Sequence, residues 1–159
     1  MLSNRKHPRL KNGQIYKDES NIVHIICHYK CDNNTLENTS NHMLNMIKII
    51  SLEKDITVYA FSIMPNHIHL LISQTAEFGI FEFVKTFKGR LSVIFRKNNL
   101  SVSFQKSFYD HVVREDEDLL IIAKYIIKNP LRGGIAECIG EHRFSGSLYF
   151  NIEDFFGGV

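Results

Sequence analysis

Two apolar runs meet at a short turn in the middle of the chain, and this feature limits the fold more than any other. DITVYAFSIM (55–64) is dense in β-branched and aromatic residues, and HIHLLIS (67–73) follows after Pro65-Asn66. Runs of this length and composition favour extended backbone, and a Pro-Asn pair favours a turn. The segment is therefore expected to form a β-hairpin.

The flanking segments extend the pattern. NIVHIICHYK (21–30) reads as a strand. Met43, Met46, Ile47 and Ile50 recur at helical spacing within 41–51. Over 78–98, Ile80, Phe83, Val84, Phe87, Leu91 and Ile94 repeat every three or four residues, the mark of a long amphipathic helix. SFYDHVVR (107–114) reads as a short strand. The acidic run Glu115-Asp116-Glu117-Asp118 suits the positive end of a helix dipole, so a helix is expected to start there. Its buried stripe is expected to hold Leu119, Ile122, Ala123 and Ile126, with Pro130 and Gly133-Gly134 ending it. Residues 135–159 carry mixed signals.

The expected order of strand, helix, strand, strand, helix, strand, helix fits an α+β fold. Its core is a ferredoxin-like split β-α-β-β-α-β antiparallel sheet with helices on one face, followed by an additional C-terminal helix. No repeat or linker divides the 159 residues, so a single domain spanning 1–159 is expected, with a core at about 20–136 and a basic N-terminal segment. A hydrophobic fraction of 44% and a charged fraction of 23% fit a globular protein, and no apolar run approaches the roughly 20 residues that span a bilayer. No signal peptide is legible, and a cytoplasmic protein without membrane partners is expected.

Net charge is only +2, so its distribution is more informative than its sum. Arg5, Lys6, Arg9, Lys11 and Lys17 crowd one segment, and Lys85, Lys88, Arg90, Arg96 and Lys97 another. Each cluster also suits a plain solvated surface. Three cysteines, Cys27, Cys31 and Cys138, are too few for a disulfide framework.

The hairpin carries the first chemical signal. Side chains two apart on a strand share a face, so His67 and His69 project together while Ile68 and Leu70 point the other way. Two adjacent imidazoles can bind one divalent cation and leave most of its coordination sphere open. The same spacing also suits surface histidines on an exposed sheet. Tyr125 and Asn129, four apart on the expected last helix, share a face at its packing seam. A packing tyrosine and a helix-ending asparagine would look alike.

Met64-Pro65-Asn66-His67-Ile68-His69-Leu70-Leu71-Ile72, then Phe108-Tyr109-Asp110-His111-Val112-Val113-Arg114, then Tyr125-Ile126-Ile127-Lys128-Asn129-Pro130 together resemble a known family. They are similar to the single-tyrosine HUH transposases of small bacterial insertion sequences, in particular the REP-associated tyrosine transposases. The resemblance covers about 20–136. It implies a ferredoxin-like sheet, His67, His69 and Asn129 as metal ligands for Mg²⁺ or Mn²⁺, and Tyr125 as the catalytic nucleophile on the added helix. It also implies cutting and rejoining of single-stranded or hairpin DNA at element ends through a 5′-phosphotyrosine, and it allows a homodimer. Candidate DNA contacts are Lys85, Lys88, Arg90, Arg114, Lys124 and Arg132. The chain departs from the family's pattern at Ile127, where histidine is frequent, and at Phe104, where tryptophan is. Insertion-sequence enzymes tend to carry glutamine where Asn129 stands.

That chemistry needs a side-chain nucleophile to store the phosphodiester bond, and a phenol with a pKa of about 10 needs help to ionise. A nearby divalent cation favours the developing charge. No phosphate-binding G-x-x-x-x-G-K-[ST] loop is present. Two rival readings remain. A split β-α-β-β-α-β sheet also serves as a non-catalytic nucleic-acid-binding module, usually through exposed aromatics on its central strands. A zinc site from His24, Cys27, His28 and Cys31 would need side chains from both faces of one strand.

Overall fold

The computed structural model describes residues 21–114 and 116–157. The expected basic cluster from Arg5 to Lys17 lies outside these residues, as does Glu115 of the acidic run. The elements are β1 (Asn21–Cys31), α1 (Leu36–Lys54), β2 (Val58–Ile63), β3 (His67–Gln74), α2 (Ile80–Lys97), β4 (Val102–Phe104) and β5 (Tyr109–Val112). Then come α3 (Leu119–Ile127), α4 (Asn129–Arg132), β6 (Ser145–Gly146) and α5 (Ile152–Phe156).

The sheet is antiparallel throughout, in the order β4-β1-β3-β2-β6, with β5 continuing the β4 edge of β1. The first six expected elements thus form a ferredoxin-like sheet. The hairpin is as expected: Met64 N–H donates to the His67 carbonyl at 2.8 Å across Pro65-Asn66. β1 grips this turn. Its Tyr29 hydroxyl donates to the Met64 carbonyl and its Tyr29 N–H to the Asn66 carbonyl.

β1 and β3 alternate strictly. Val23, Ile25, Cys27 and Tyr29, with Ile68, Leu70 and Ile72, turn to one face and meet the apolar stripes of α1 and α2. Ile68 and Leu70 are fully buried there, as their spacing requires. Burial of one such side chain contributes about 1.5–3 kcal/mol. Gln74 Oε1 accepts from the Ile80 N–H at 3.0 Å and so caps the start of α2.

Helices on one face was an incomplete expectation. The second face is covered by α3, whose Ala123, Ile126 and Ile127 pack on Ala60, Leu71 and Val113. Within the expected stripe, Leu119 and Ile122 are only half-buried, and Ile127 replaces them in the buried set. Asp118 caps α3 by accepting from the Leu120 N–H at 2.8 Å.

Three further differences concern the ends. The strand expected over 107–114 shortens to β5, and β4 adds a three-residue strand too short to show a pattern. The last helix stops at Ile127 instead of running to Pro130. Pro130 sits in the first turn of α4, where its missing N–H costs nothing. Tyr125 and Asn129 therefore stand on two successive helical segments. Finally, the tail up to residue 157 packs on the sheet and on α3: β6 pairs with Phe61 and Ser62 of β2, and the α5 phenylalanines pack beside α3. Among the described residues no helix is long and apolar enough to cross a membrane.

Candidate active site

The face opposite α1 and α2 gathers imidazoles by register. His28 pairs with His67, Ile26 with His69, and His24 with Leu71. On the other edge of β1, His24 pairs with His111 and Ile26 with Tyr109. Residues paired across a ladder share a face, so His24, His28, His67, His69 and His111 all project together. The expectation for His67 and His69 holds as placement, and three more histidines surround them. Their positions depend on strand register, which no local spacing reveals. One signal was available: His24 and His28 share a parity on β1, away from Cys27 and Cys31. That split also disposes of the zinc reading. Cys27 is buried in the opposite core, and all three cysteines are free thiols.

The ring contacts are close. His24 Nε2 lies 3.0 Å from His69 Nδ1, with the rings stacked at 5.2 Å between centroids. His67 and His69 meet edge-on at 4.9 Å, and His28 lies 5.7 Å from His67. His67 Nδ1 is 2.6 Å from Asn66 Oδ1. His111 Nε2 reaches both oxygens of Glu117 at 2.8–2.9 Å. Glu117 also accepts from the Arg114 N–H. Burial works against the Glu117 charge, but these hydrogen bonds outweigh it and hold the carboxyl below its ordinary range.

Burial also favours the neutral form of His24, His67 and His69. It lowers His24 to about 4, helped by His111, and lowers His69 to about 3, helped by the charges of His24, His67, Arg132 and His28. His67 is lowered by burial and then by His28. Neutral imidazoles offer lone pairs at physiological pH, which is what a metal requires. Among the described residues no three His, Cys, Asp or Glu side chains converge on one cation position. A metal at His67 and His69 would need a donor of another kind to join them.

Tyr125, on the flank of α3, is 53% exposed. Arg132 folds back from α4 and sets its guanidinium carbon 3.7 Å from the centroid of the Tyr125 ring. Arg132 Nη2 donates to the Tyr125 carbonyl at 2.7 Å and to Asn129 Oδ1 at 3.3 Å. Asn129 Nδ2 is buried without a partner. The direct contacts of Arg132 are thus with Tyr125 and Asn129, and its charge adds a minor push on His69.

The candidate DNA contacts do not form one surface, because the sheet divides them. Lys85, Lys88 and Arg90 belong to α2, on the face away from the histidines. Lys85 is exposed. Arg90 pairs with Glu53 at 2.7 Å. Lys88 is committed to the fold: it donates to the Gln105 and Ser107 carbonyls at 2.6 and 3.2 Å, and burial lowers its pKa. Lys124 and Arg132 lie on the helices of the histidine face. Lys124 sits over Phe155 and Phe156 of α5. Arg114 is exposed just after β5.

Comparison with known proteins bears on the fold and the family. A REP-associated tyrosine transposase, solved bound to a REP hairpin, is similar with a TM-score of 0.65 and 16% identity, covering 79% of this chain and 75% of that one. A candidate transposase from Deinococcus radiodurans R1 gives a TM-score of 0.47 and 22% identity, covering 66% and 87%. No curated protein sequence matches the chain. The first likeness supports the fold. The family model described as Transposase IS200 like matches residues 18–129, most of the chain, and the chain therefore belongs to the IS200-like transposase family.

Proposed function

We propose that the protein cuts and rejoins single-stranded or hairpin DNA through a covalent bond to Tyr125, with a divalent cation held by His67, His69 and Asn129. The observation that carries this reading is the shared position of Arg132. It touches Tyr125 and Asn129 and weighs on neutral His69.

The donor set fits such a cation. Two neutral imidazoles and one amide oxygen suit Mn²⁺, and Mg²⁺ accepts the oxygen readily. Asn129 Nδ2 is buried without a partner while its Oδ1 accepts from Arg132, so the amide is held on one side only. When bound, the cation would polarise a non-bridging phosphate oxygen and favour the charge that develops during cleavage.

Tyr125 Oη attacks the scissile phosphorus. The bond from phosphorus to the 3′ oxygen breaks, and the phenol proton ends on that oxygen. The products are a 5′-phosphotyrosine and a free 3′-OH. Attack by another 3′-OH reverses the step and joins strands, so no nucleotide cofactor is consumed. Arg132 can neutralise a phosphate beside the tyrosine, Arg114 another past the end of β5, and Lys85 offers a separate contact behind the sheet. Hairpin DNA as substrate accords with the hairpin bound by the structurally similar transposase.

The test is incubation with labelled hairpin DNA and Mn²⁺ or Mg²⁺. A denaturation-resistant adduct is expected, lost in Tyr125→Phe and lost on chelation. An adduct that survives Tyr125→Phe would move the nucleophile elsewhere. Tyr109, 42% exposed and facing the histidine side, is then the next candidate. DNA binding without any adduct would favour the non-catalytic binding module.

A further inference from the structure

We propose that Asn66 and His24 are positioning residues: each engages Nδ1 of one imidazole in the pair, leaving Nε2 of His67 and Nε2 of His69 as the two metal donors. This rests on the reading that His67 and His69 hold a divalent cation, and it specifies which atoms do so and what aims them.

The geometry is direct for His67. Asn66 Oδ1 lies 2.6 Å from Nδ1. An amide oxygen only accepts, so Nδ1 carries the proton and the Nε2 lone pair is left exposed. Asn66 is itself fixed. It occupies a two-residue turn closed by Met64 and His67, and β1 holds its carbonyl through the Tyr29 N–H. The turn that ends the hairpin thus also sets the tautomer of the first histidine.

For His69 the partner comes from the neighbouring strand. His24 lies opposite Leu71, two residues beyond His69, and reaches it diagonally. Its Nε2 meets His69 Nδ1 at 3.0 Å. Either nitrogen of this pair could hold the shared proton. Only donation by His69 leaves its Nε2 with a lone pair, so a cation selects that arrangement, and His24 then carries its own proton on Nδ1. His24 cannot itself be a third ligand to the same ion while it faces the far nitrogen of the His69 ring. The absence of a three-residue His, Cys, Asp or Glu cluster among the described residues agrees with this. Partners that fix a ligand's tautomer and ring angle typically contribute 10–100-fold to metal affinity.

The experiment uses the full chain in two measurements. Nitrogen-15 imidazole spectra of the metal-free protein should show His67 protonated at Nδ1. Asn66→Ala should convert that signal to a tautomer mixture, and Asn66→Asp should keep it. Calorimetric titration with Mn²⁺ should then show about 10–100-fold weaker binding in Asn66→Ala and in His24→Leu, with partial recovery in His24→Gln. Thermal melts in chelator identify variants that are merely unfolded. Asn66 is exposed, so its variants keep the readout available if His24→Leu fails to fold. A proton on His67 Nε2, or unchanged Mn²⁺ affinity in both Asn66→Ala and His24→Leu, overturns the inference. If those variants bind normally while His67→Ala does not, only this inference falls. If His67→Ala also binds like the parent chain, the metal reading falls with it.

Discussion

Arg132 stacks on Tyr125, its guanidinium carbon 3.7 Å from the ring centroid, and the contact joins the helix that carries the phenol to the segment that carries Asn129. Stacking of this kind is worth about 0.5–2 kcal/mol. It holds a half-exposed phenol in place, and under the proposed function it leaves a cation beside the phenol for phosphate. Arg132→Ala should weaken hairpin binding and reduce the salt slope of log Kd by about 0.7–0.9, the share of one phosphate contact. Arg132→Lys should keep the slope but lose the stack, so adduct formation falls more than affinity does. Anisotropy titrations at several salt concentrations, run beside adduct assays, separate the two.

Stability should fall in acid. His24 and His69 have pKa values of about 4 and about 3 in the fold, below the ordinary value near 6.5. Below pH 6.5 the unfolded chain takes up protons that the folded chain refuses, so protons favour unfolding. Without metal, the protein should lose on the order of 2–4 kcal/mol as pH drops from 6.5 to 4, and should change little above 7. Glu117, with its lowered carboxyl pKa, adds a loss that begins near its ordinary value of 4.5 and grows in more acid solution. Urea titrations in chelator measure the curve, and His24→Gln should flatten it. A parent curve that is flat from 6.5 to 4 would contradict the neutral imidazoles.

Lys88 should prove to be a fold residue. Its two hydrogen bonds tie the 105–107 turn to α2, and its ammonium lies 5.9 Å from the rings of Phe104 and Phe108. Lys88→Met keeps the stem but leaves two carbonyls without this donor. A loss of about 1–3 kcal/mol in urea unfolding is expected, with the DNA salt slope unchanged. A reduced slope with normal stability would restore Lys88 to the DNA-contacting set.

What could be read from the chain was local. Alternation in HIHLLIS placed His67 and His69 on one face, and the three-and-four spacing from Ile80 to Leu91 gave α2. What escaped depends on distant pairings. His24 and His111 reach the site only because β1 takes one register against β3 and one against β5. The break before Asn129 escaped because Pro130 can either end a helix or open the next one. Arg132 looked like one surface cation among several. Its place over Tyr125 follows from the turn that α4 makes after that break. The resemblance makes Lys88 a phosphate contact on a basic stretch of its helix, yet the β4–β5 turn folds over it.

The tail offers the last test, because Ser145 ties it to the end of the helix that carries Tyr125, just before the segment that carries Asn129. At the end of α3 the Leu131 N–H turns to the Lys128 carbonyl, and the Ile127 carbonyl is left for the Ser145 hydroxyl, which donates at 2.9 Å. Ile127 is buried, so the lost bond in Ser145→Ala would leave that carbonyl without its protein donor, at about 1–3 kcal/mol. The strain falls at residues 127–132, between Tyr125 and Arg132. Hydrogen exchange there should quicken while β1 and β3 keep their protection, and adduct formation should slow with Mn²⁺ affinity nearly unchanged. Ser145→Thr retains a hydroxyl and should recover both. Exchange that quickens uniformly across the sheet would instead mark Ser145 as a general stabiliser of the fold, with no special hold on the helix break.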